Sequence, residues 1–118
     1  MLLMIDNYDS FTYNLQHYLE AVLDESVTVK RNDEVTLEEI ASFDNLVLSP
    51  GPGLPQDAGI TMSVLEHFST TKRILGVCLG HQAIGLAFGG NTIENQFDMM
   101  NDAVRFRDEK IPCEVFWI

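Results

Sequence analysis

Cys78 lies in the stretch Gly76-Val77-Cys78-Leu79-Gly80-His81-Gln82, between an apolar run at residues 74–77 and a segment, 81–88, that reads as helix. A strand that turns sharply into a helix at G-x-C-x-G is a nucleophile elbow with sulfur in place of the hydroxyl. The flanking glycines fit such a turn, because Cβ atoms would crowd it and Gly alone accepts the backbone at no steric cost. The sulfur is thereby set at the amino end of a helix, where unpaired N–H groups and the macrodipole favour thiolate over thiol. A lone free cysteine is more often a small buried hydrophobe. The elbow spacing predicts instead that Cys78 is a nucleophile.

Acyl chemistry at a thiol needs N–H donors aimed at the developing oxyanion. Leu79, the residue after the nucleophile, supplies one. The loop Ser49-Pro50-Gly51-Pro52-Gly53-Leu54-Pro55 is the second source, since its glycines let backbone approach a ligand closely. Prolines bring no N–H, which leaves Gly51 and Gly53 as its candidate donors. Taken alone the loop would be a rigid strand-to-helix connector; beside the elbow it reads as part of a site. The acid pairs Glu38-Glu39 and Asp24-Glu25 fall at helix ends and read as solvated caps rather than as general acids.

These groups need a scaffold, and the hydrophobic pattern supplies one. Leu2-Leu3-Met4-Ile5 is a continuous apolar run, as in a strand buried on both faces of a parallel sheet. It ends in Asp6-Asn7-Tyr8-Asp9-Ser10, a polar turn whose Asp9 and Ser10 are possible N-caps. Leu15, Tyr18, Leu19, Val22 and Leu23 then fall on one helical face. Val27 and Val29 mark a second strand nearer an edge, and Thr36-Leu37-Glu38-Glu39 is a capping box opening a short helix through Ala41. Leu46-Val47-Leu48 is the third strand; Ile60, Val64, Leu65 and Phe68 predict the next helix; residues 74–77 form the fourth strand. The elbow helix follows, stopped by Gly89-Gly90. Short strands are expected within 91–97, 103–107 and 113–118. The alternation predicts an α/β three-layer sandwich with a mostly parallel sheet, flavodoxin-like in its opening units, over a single domain spanning 1–118. Ligands in such folds bind beyond the carboxyl ends of the strands, where Asp6, the Pro-Gly loop and Cys78 all lie.

Composition narrows the function classes. The formal net charge is −11, and the basic residues form only two adjacent pairs, Lys30-Arg31 and Lys72-Arg73, with a loose group from Arg105 to Lys110. Nucleic acid binding needs clustered Lys and Arg, so no nucleic-acid partner is expected. The apolar start meets Asp6 at once and lacks a basic n-region, which argues against a signal peptide and against a membrane span. Cys78 and Cys113 make neither a disulfide framework nor a metal site, and reduced thiols fit a cytoplasmic protein. No metal and no cofactor are expected.

Three segments together, Asp6-Asn7-Tyr8-Asp9-Ser10-Phe11-Thr12-Tyr13-Asn14-Leu15, Ser49-Pro50-Gly51-Pro52-Gly53 and the elbow, resemble the class I (triad) glutamine amidotransferases. The likeness covers roughly residues 1–94 and is nearest to the small subunits of anthranilate synthase and aminodeoxychorismate (p-aminobenzoate) synthase. It implies that Cys78 attacks the side-chain amide of L-glutamine, giving a γ-glutamyl thioester, and that ammonia passes to the large subunit of a chorismate-using synthase. By motif position it also implies an oxyanion hole from the Gly51 and Leu79 N–H groups. Gly51, Pro52, Gly53 and the Gln82 amide would hold the substrate. Part of the Tyr8, Phe11 and Tyr13 cluster would dock the synthase.

The chain departs from this family where the base should be. The resemblance calls for a His in a His-x-Glu arrangement near the carboxyl end of a longer chain, whereas the only histidines are His17, His67 and His81. His81 matches a position that is not the catalytic base and reads as a packing or hydrogen-bonding residue; His17 and His67 read as helix-surface residues. Asn95 to Asp102 keeps no His-Gly turn of the family's kind, and Glu109-Lys110-Ile111-Pro112 resembles a later connector too weakly to build on. Either these residues are part of a longer gene product, the simpler expectation, or they are a shortened variant without glutaminase activity. Very weak or no glutamine hydrolysis is expected of them alone. Two other readings stand beside the amidotransferase: a non-catalytic synthase-binding module of the same family, and a different α/β cysteine hydrolase. The Pro-Gly loop and opening motif argue against the latter. Whether the product is anthranilate or p-aminobenzoate stays open.

Overall fold

The computed structural model describes residues 1–87 and the backbone of Val115–Trp117. Strand and helix alternate: β1 Leu2–Asp6, α1 Thr12–Leu23, β2 Val27–Arg31, α2 Leu37–Ala41, β3 Asn45–Leu48, a 3₁₀ turn Pro55–Asp57, α3 Thr61–Phe68, β4 Arg73–Gly76, α4 Leu79–Ala87 and β5 Val115–Trp117. The strands lie in the order β2-β1-β3-β4-β5, and every pairing among them is parallel. This is the flavodoxin-like order, with its topological switch between β1 and β3.

Side chains alternate across the sheet because successive Cβ atoms of a strand point to opposite faces. Leu3, Ile5, Leu46, Leu48 and Ile74 pack on one face against Ile40 of α2, Val64 and Leu65 of α3, and Ala83 and Ile84 of α4. Leu2, Met4, Val27 and Val47 pack on the other against Leu15 and Leu19 of α1. The result is three layers, with the edge strand β2 paired only to β1 among the described residues. Burying each large aliphatic side chain contributes about 1.5–3 kcal/mol relative to exposure, so β1 and β3 anchor both cores.

Three local expectations are corrected. The helix after β1 begins at Phe11 as N-cap with no side-chain cap, so neither Asp9 nor Ser10 takes that role. Their turn is held otherwise: the Asp6 carboxylate accepts the Tyr8 N–H at 2.9 Å and the Thr12 hydroxyl at 2.8 Å, and Asp9 accepts the Phe11 N–H at 2.8 Å. On α1, Leu15 and Leu19 are half-buried, but Tyr18, Val22 and Leu23 are 61%, 81% and 49% exposed. Periodicity reports which residues share a face and not whether a neighbour covers them. Finally, α4 starts at Leu79 rather than His81, because the turn at Cys78 is complete within one residue. The Gly89-Gly90 stop and the strands expected within 91–97 and 103–107 lie outside the described residues; within 113–118, Val115–Trp117 forms β5 beside β4.

Candidate active site

Cys78 takes φ 52, a left-handed conformation that costs a non-glycine residue about 1–2 kcal/mol. Its neighbours permit the turn. A Cβ on Gly76 would overlap the backbone of Gly80, and a Cβ on Gly80 would overlap the Leu48 carbonyl. The two glycines therefore let α4 press against the ends of β3 and β4. The turn closes with the Gly80 N–H donating to Val77 O at 3.0 Å and the Gln82 N–H to Cys78 O at 2.9 Å. The thiol is exposed at the amino end of α4, as a nucleophile elbow requires.

Sheet register brings the Pro-Gly loop alongside. Leu48 pairs with Gly76, and the Val77 N–H extends the ladder to Leu48 O at 3.0 Å. Gly51 and Leu79 each lie three residues beyond that pair on adjacent parallel strands. Among the described residues, neither the Gly51 nor the Leu79 N–H donates to a backbone acceptor in a turn, loop or cap. Gly53 takes φ +76 with open space where a Cβ would be, and Pro52 is exposed beside it. Gln82 is half-buried in the first turn of α4.

Asn7 secures the loop from behind. Its backbone N–H donates to Ser49 Oγ at 2.8 Å and its Nδ2 to Ser49 O at 2.8 Å. Its Oδ1 accepts from Asn32 Nδ2 at 3.0 Å and from Thr61 Oγ1 at 2.9 Å. A Cβ on Gly51 would overlap the Asn7 carbonyl, so the loop lies flat on this residue. Residue type marks Asn7 only as part of a turn motif, and it passes over Asn32 and Thr61. No local signal could have joined residues from β1, the end of β2, and α3.

His17 and His67 are exposed on α1 and α3, the latter with Nδ1 2.8 Å from Ser63 O, and His81 is buried in the first turn of α4. Among the described residues no group of three or more His, Cys, Asp or Glu side chains is placed to hold a metal ion. An apolar groove lined by Leu2, Leu19, Leu23, Asn45 and Leu75 opens at the amino ends of the strands, the end opposite the elbow. No helix among the described residues is long and apolar enough to cross a membrane.

The profile of the class-I glutamine amidotransferases matches residues 3–116. The chain belongs to that family. Among its curated relatives, the anthranilate synthase component 2 of Pseudomonas aeruginosa is 54% identical over 95 residues, covering 79% of this chain and 47% of that protein. The aminodeoxychorismate/anthranilate synthase component 2 of Bacillus subtilis is 53% identical over 95 residues, covering 79% of this chain and 48% of that one. This amidotransferase chain thus spans about half the length of the curated relatives it matches. Among solved structures, a candidate GMP synthase subunit from Thermoplasma acidophilum superposes with a TM-score of 0.61 at 27% identity, over 75% of this chain and 44% of that one. The α/β architecture with a parallel sheet is accordingly that of the family.

Proposed function

We propose that residues 1–118 form a single, partial amidotransferase domain that carries the thioester half of a glutamine-dependent ammonia supply, serving a chorismate-using synthase. The observation that carries this reading is Cys78 held at φ 52 on an elbow, with Gly51 and Leu79 each three residues beyond the paired ends of neighbouring strands. The Cys78 thiolate attacks the side-chain amide carbon of L-glutamine. A C–S bond forms, and the carbonyl electron pair moves onto oxygen, where the two N–H groups stabilise it. Collapse of this intermediate breaks the C–N bond and releases ammonia, leaving a γ-glutamyl thioester that water converts to glutamate. Pro52, Gly53 and the Gln82 amide fix the substrate around that carbon.

The thiol proton and the departing nitrogen both need an acid–base partner. Residues 1–118 contain no His-x-Glu arrangement of the family's kind, so glutamate release by these residues alone is expected to be very slow. The exposed Tyr8, Phe11 and Tyr13, at the same end of the sheet as the elbow, support docking of a synthase large subunit there. The Pseudomonas and Bacillus relatives are both named as synthase components, which supports the same assignment. Anthranilate and p-aminobenzoate synthesis are equally compatible with this site.

Alkylation with a chloroketone analogue of L-glutamine, read by mass spectrometry, tests the reading. One adduct is expected, at Cys78, slowed by free L-glutamine and absent in Cys78→Ser. Labelling indifferent to L-glutamine would overturn it and favour a module that binds the synthase without handling glutamine. Such a module would keep its partner after Cys78→Ala and form no thioester.

A further inference from the structure

We propose that Asn7 is a positioning residue for the reaction, fixing the Ser49–Gly51 segment so that the Gly51 N–H meets the oxyanion. This rests on the amidotransferase reading and adds a residue to its machinery.

The geometry leaves the Asn7 side chain little freedom. It is 2% exposed, so any unmade hydrogen bond there is costly. Ser49 O can only accept, which fixes Nδ2 toward the loop and Oδ1 toward Asn32 and Thr61. Both lone pairs of Oδ1 are used, and the Asn7 N–H is bound to Ser49 Oγ, which in turn donates to Pro50 O at 2.8 Å. The partners are themselves anchored. The Asn32 N–H donates to Asp6 O at 3.0 Å, Asn32 O accepts the Ile60 N–H at 3.1 Å, and Thr61 is fully buried at the start of α3. Asn7 therefore ties the loop to the ends of β1 and β2 and to α3.

The loop needs such a hold. Pro50 and Pro52 contribute no N–H, so the loop cannot be held by a regular backbone ladder. Gly51 lies against the Asn7 carbonyl without a side chain of its own to lock it. A displacement of the Gly51 N–H by a fraction of an ångström weakens the hydrogen bond to charge that develops only in the transition state. The effect of losing Asn7 should therefore fall on the rate of acylation more than on ground-state binding of the substrate, which Pro52, Gly53 and Gln82 handle.

Saturation kinetics of Cys78 alkylation by the chloroketone analogue separate the two. In this reaction the thiolate adds to the ketone carbon and the carbonyl pair moves onto oxygen. Sulfur then bonds the adjacent CH2 as chloride leaves with the C–Cl pair, and the oxyanion pair re-forms the carbonyl as the first C–S bond breaks. Asn7→Asp keeps the shape but turns an acceptor toward Ser49 O. It is expected to lower the limiting rate about tenfold or more with the half-saturating concentration shifted no more than about threefold. Thr61→Val, which removes one bond to Oδ1, should give a smaller fall of the same kind and serves where Asn7→Asp does not fold. Alkylation by iodoacetamide, which builds no oxyanion, should stay within about twofold of the parent in both. Unchanged limiting rates in a folded variant, or parallel losses with both reagents, would sink the positioning role while leaving the amidotransferase reading intact. Parent labelling that L-glutamine does not slow would remove both.

Discussion

Tyr8 holds φ 65, directly after the buried Asn7, and its side chain leaves the core altogether. The phenol donates to the Asp33 carboxylate, and the Arg31 guanidinium lies 5.0 Å from the ring centroid. The hydrogen bond to Asp33 raises the Tyr8 pKa above its ordinary value, with desolvation and the Asp33 charge acting in the same direction and Arg31 opposing them. The raised value belongs to the folded state, so the contact stabilises the fold fully below the ordinary phenol range, about 10. It is lost only as pH climbs through the raised value, and neutral pH leaves it intact. A tyrosinate absorbance titration of the parent minus Tyr8→Phe should have its midpoint above about 10, and Asp33→Asn should lower it. A midpoint unmoved by Asp33→Asn would show that the carboxylate is not the cause. At this scale the sequence was legible where one short stretch sets the chemistry. Gly76, Cys78 and Gly80 announce an elbow by spacing alone, and the φ at Cys78 agrees. Asn7 was not, because its meaning depends on Ser49, Asn32 and Thr61, which only the folded sheet brings to it.

Helices are legible when their ends carry their own signals. The Thr36–Glu39 capping box forms as its spacing implies: Thr36 Oγ1 accepts the Glu39 N–H at 3.2 Å, and the Glu39 carboxylate accepts the Thr36 N–H at 3.3 Å. α2 spans only five residues, too few to be stable without caps and packing. Its far end is held by Lys72, whose ammonium donates to the carbonyls of Ala41 and Phe43 while lying over the Phe68 ring. Thr36→Ala should therefore cost about 1 kcal/mol, read as a lower urea midpoint with unchanged slope. No change in midpoint would mean that Lys72 and Ile40 hold α2 without its cap. Lys72 illustrates the limit of a local reading. In the sequence it is half of a basic pair, and nothing nearby shows that it is buried against carbonyls of a distant turn. The start of α1 is a further case, since Asp6 and Asp9 spend their oxygens on the turn before it.

At the scale of the molecule, the described residues cover the two faces of the sheet unequally. α2, α3 and α4 cover one, while α1 alone, among the described residues, packs on the other. The strand alternation foretold two apolar faces but carried no measure of how well each is covered. That depends on which helices cross to which side. Leu65 and Leu19 isolate the difference, because both are helical leucines and Leu→Ala changes helix propensity equally in each. Leu65 is 1% exposed among Val64, Ile84 and the β3 side chains of its cluster, whereas Leu19 is half-buried. Leu65 loses nearly the whole of its buried side-chain area, so Leu65→Ala should cost about 2–5 kcal/mol. Leu19 loses less buried area, so Leu19→Ala should cost about 1 kcal/mol. Urea unfolding of the two variants checks this, and native-state hydrogen exchange should show α1 opening before α3. Equal losses would mean that the α1 face is as closely packed as its opposite, with the groove beside Leu23 filled in solution.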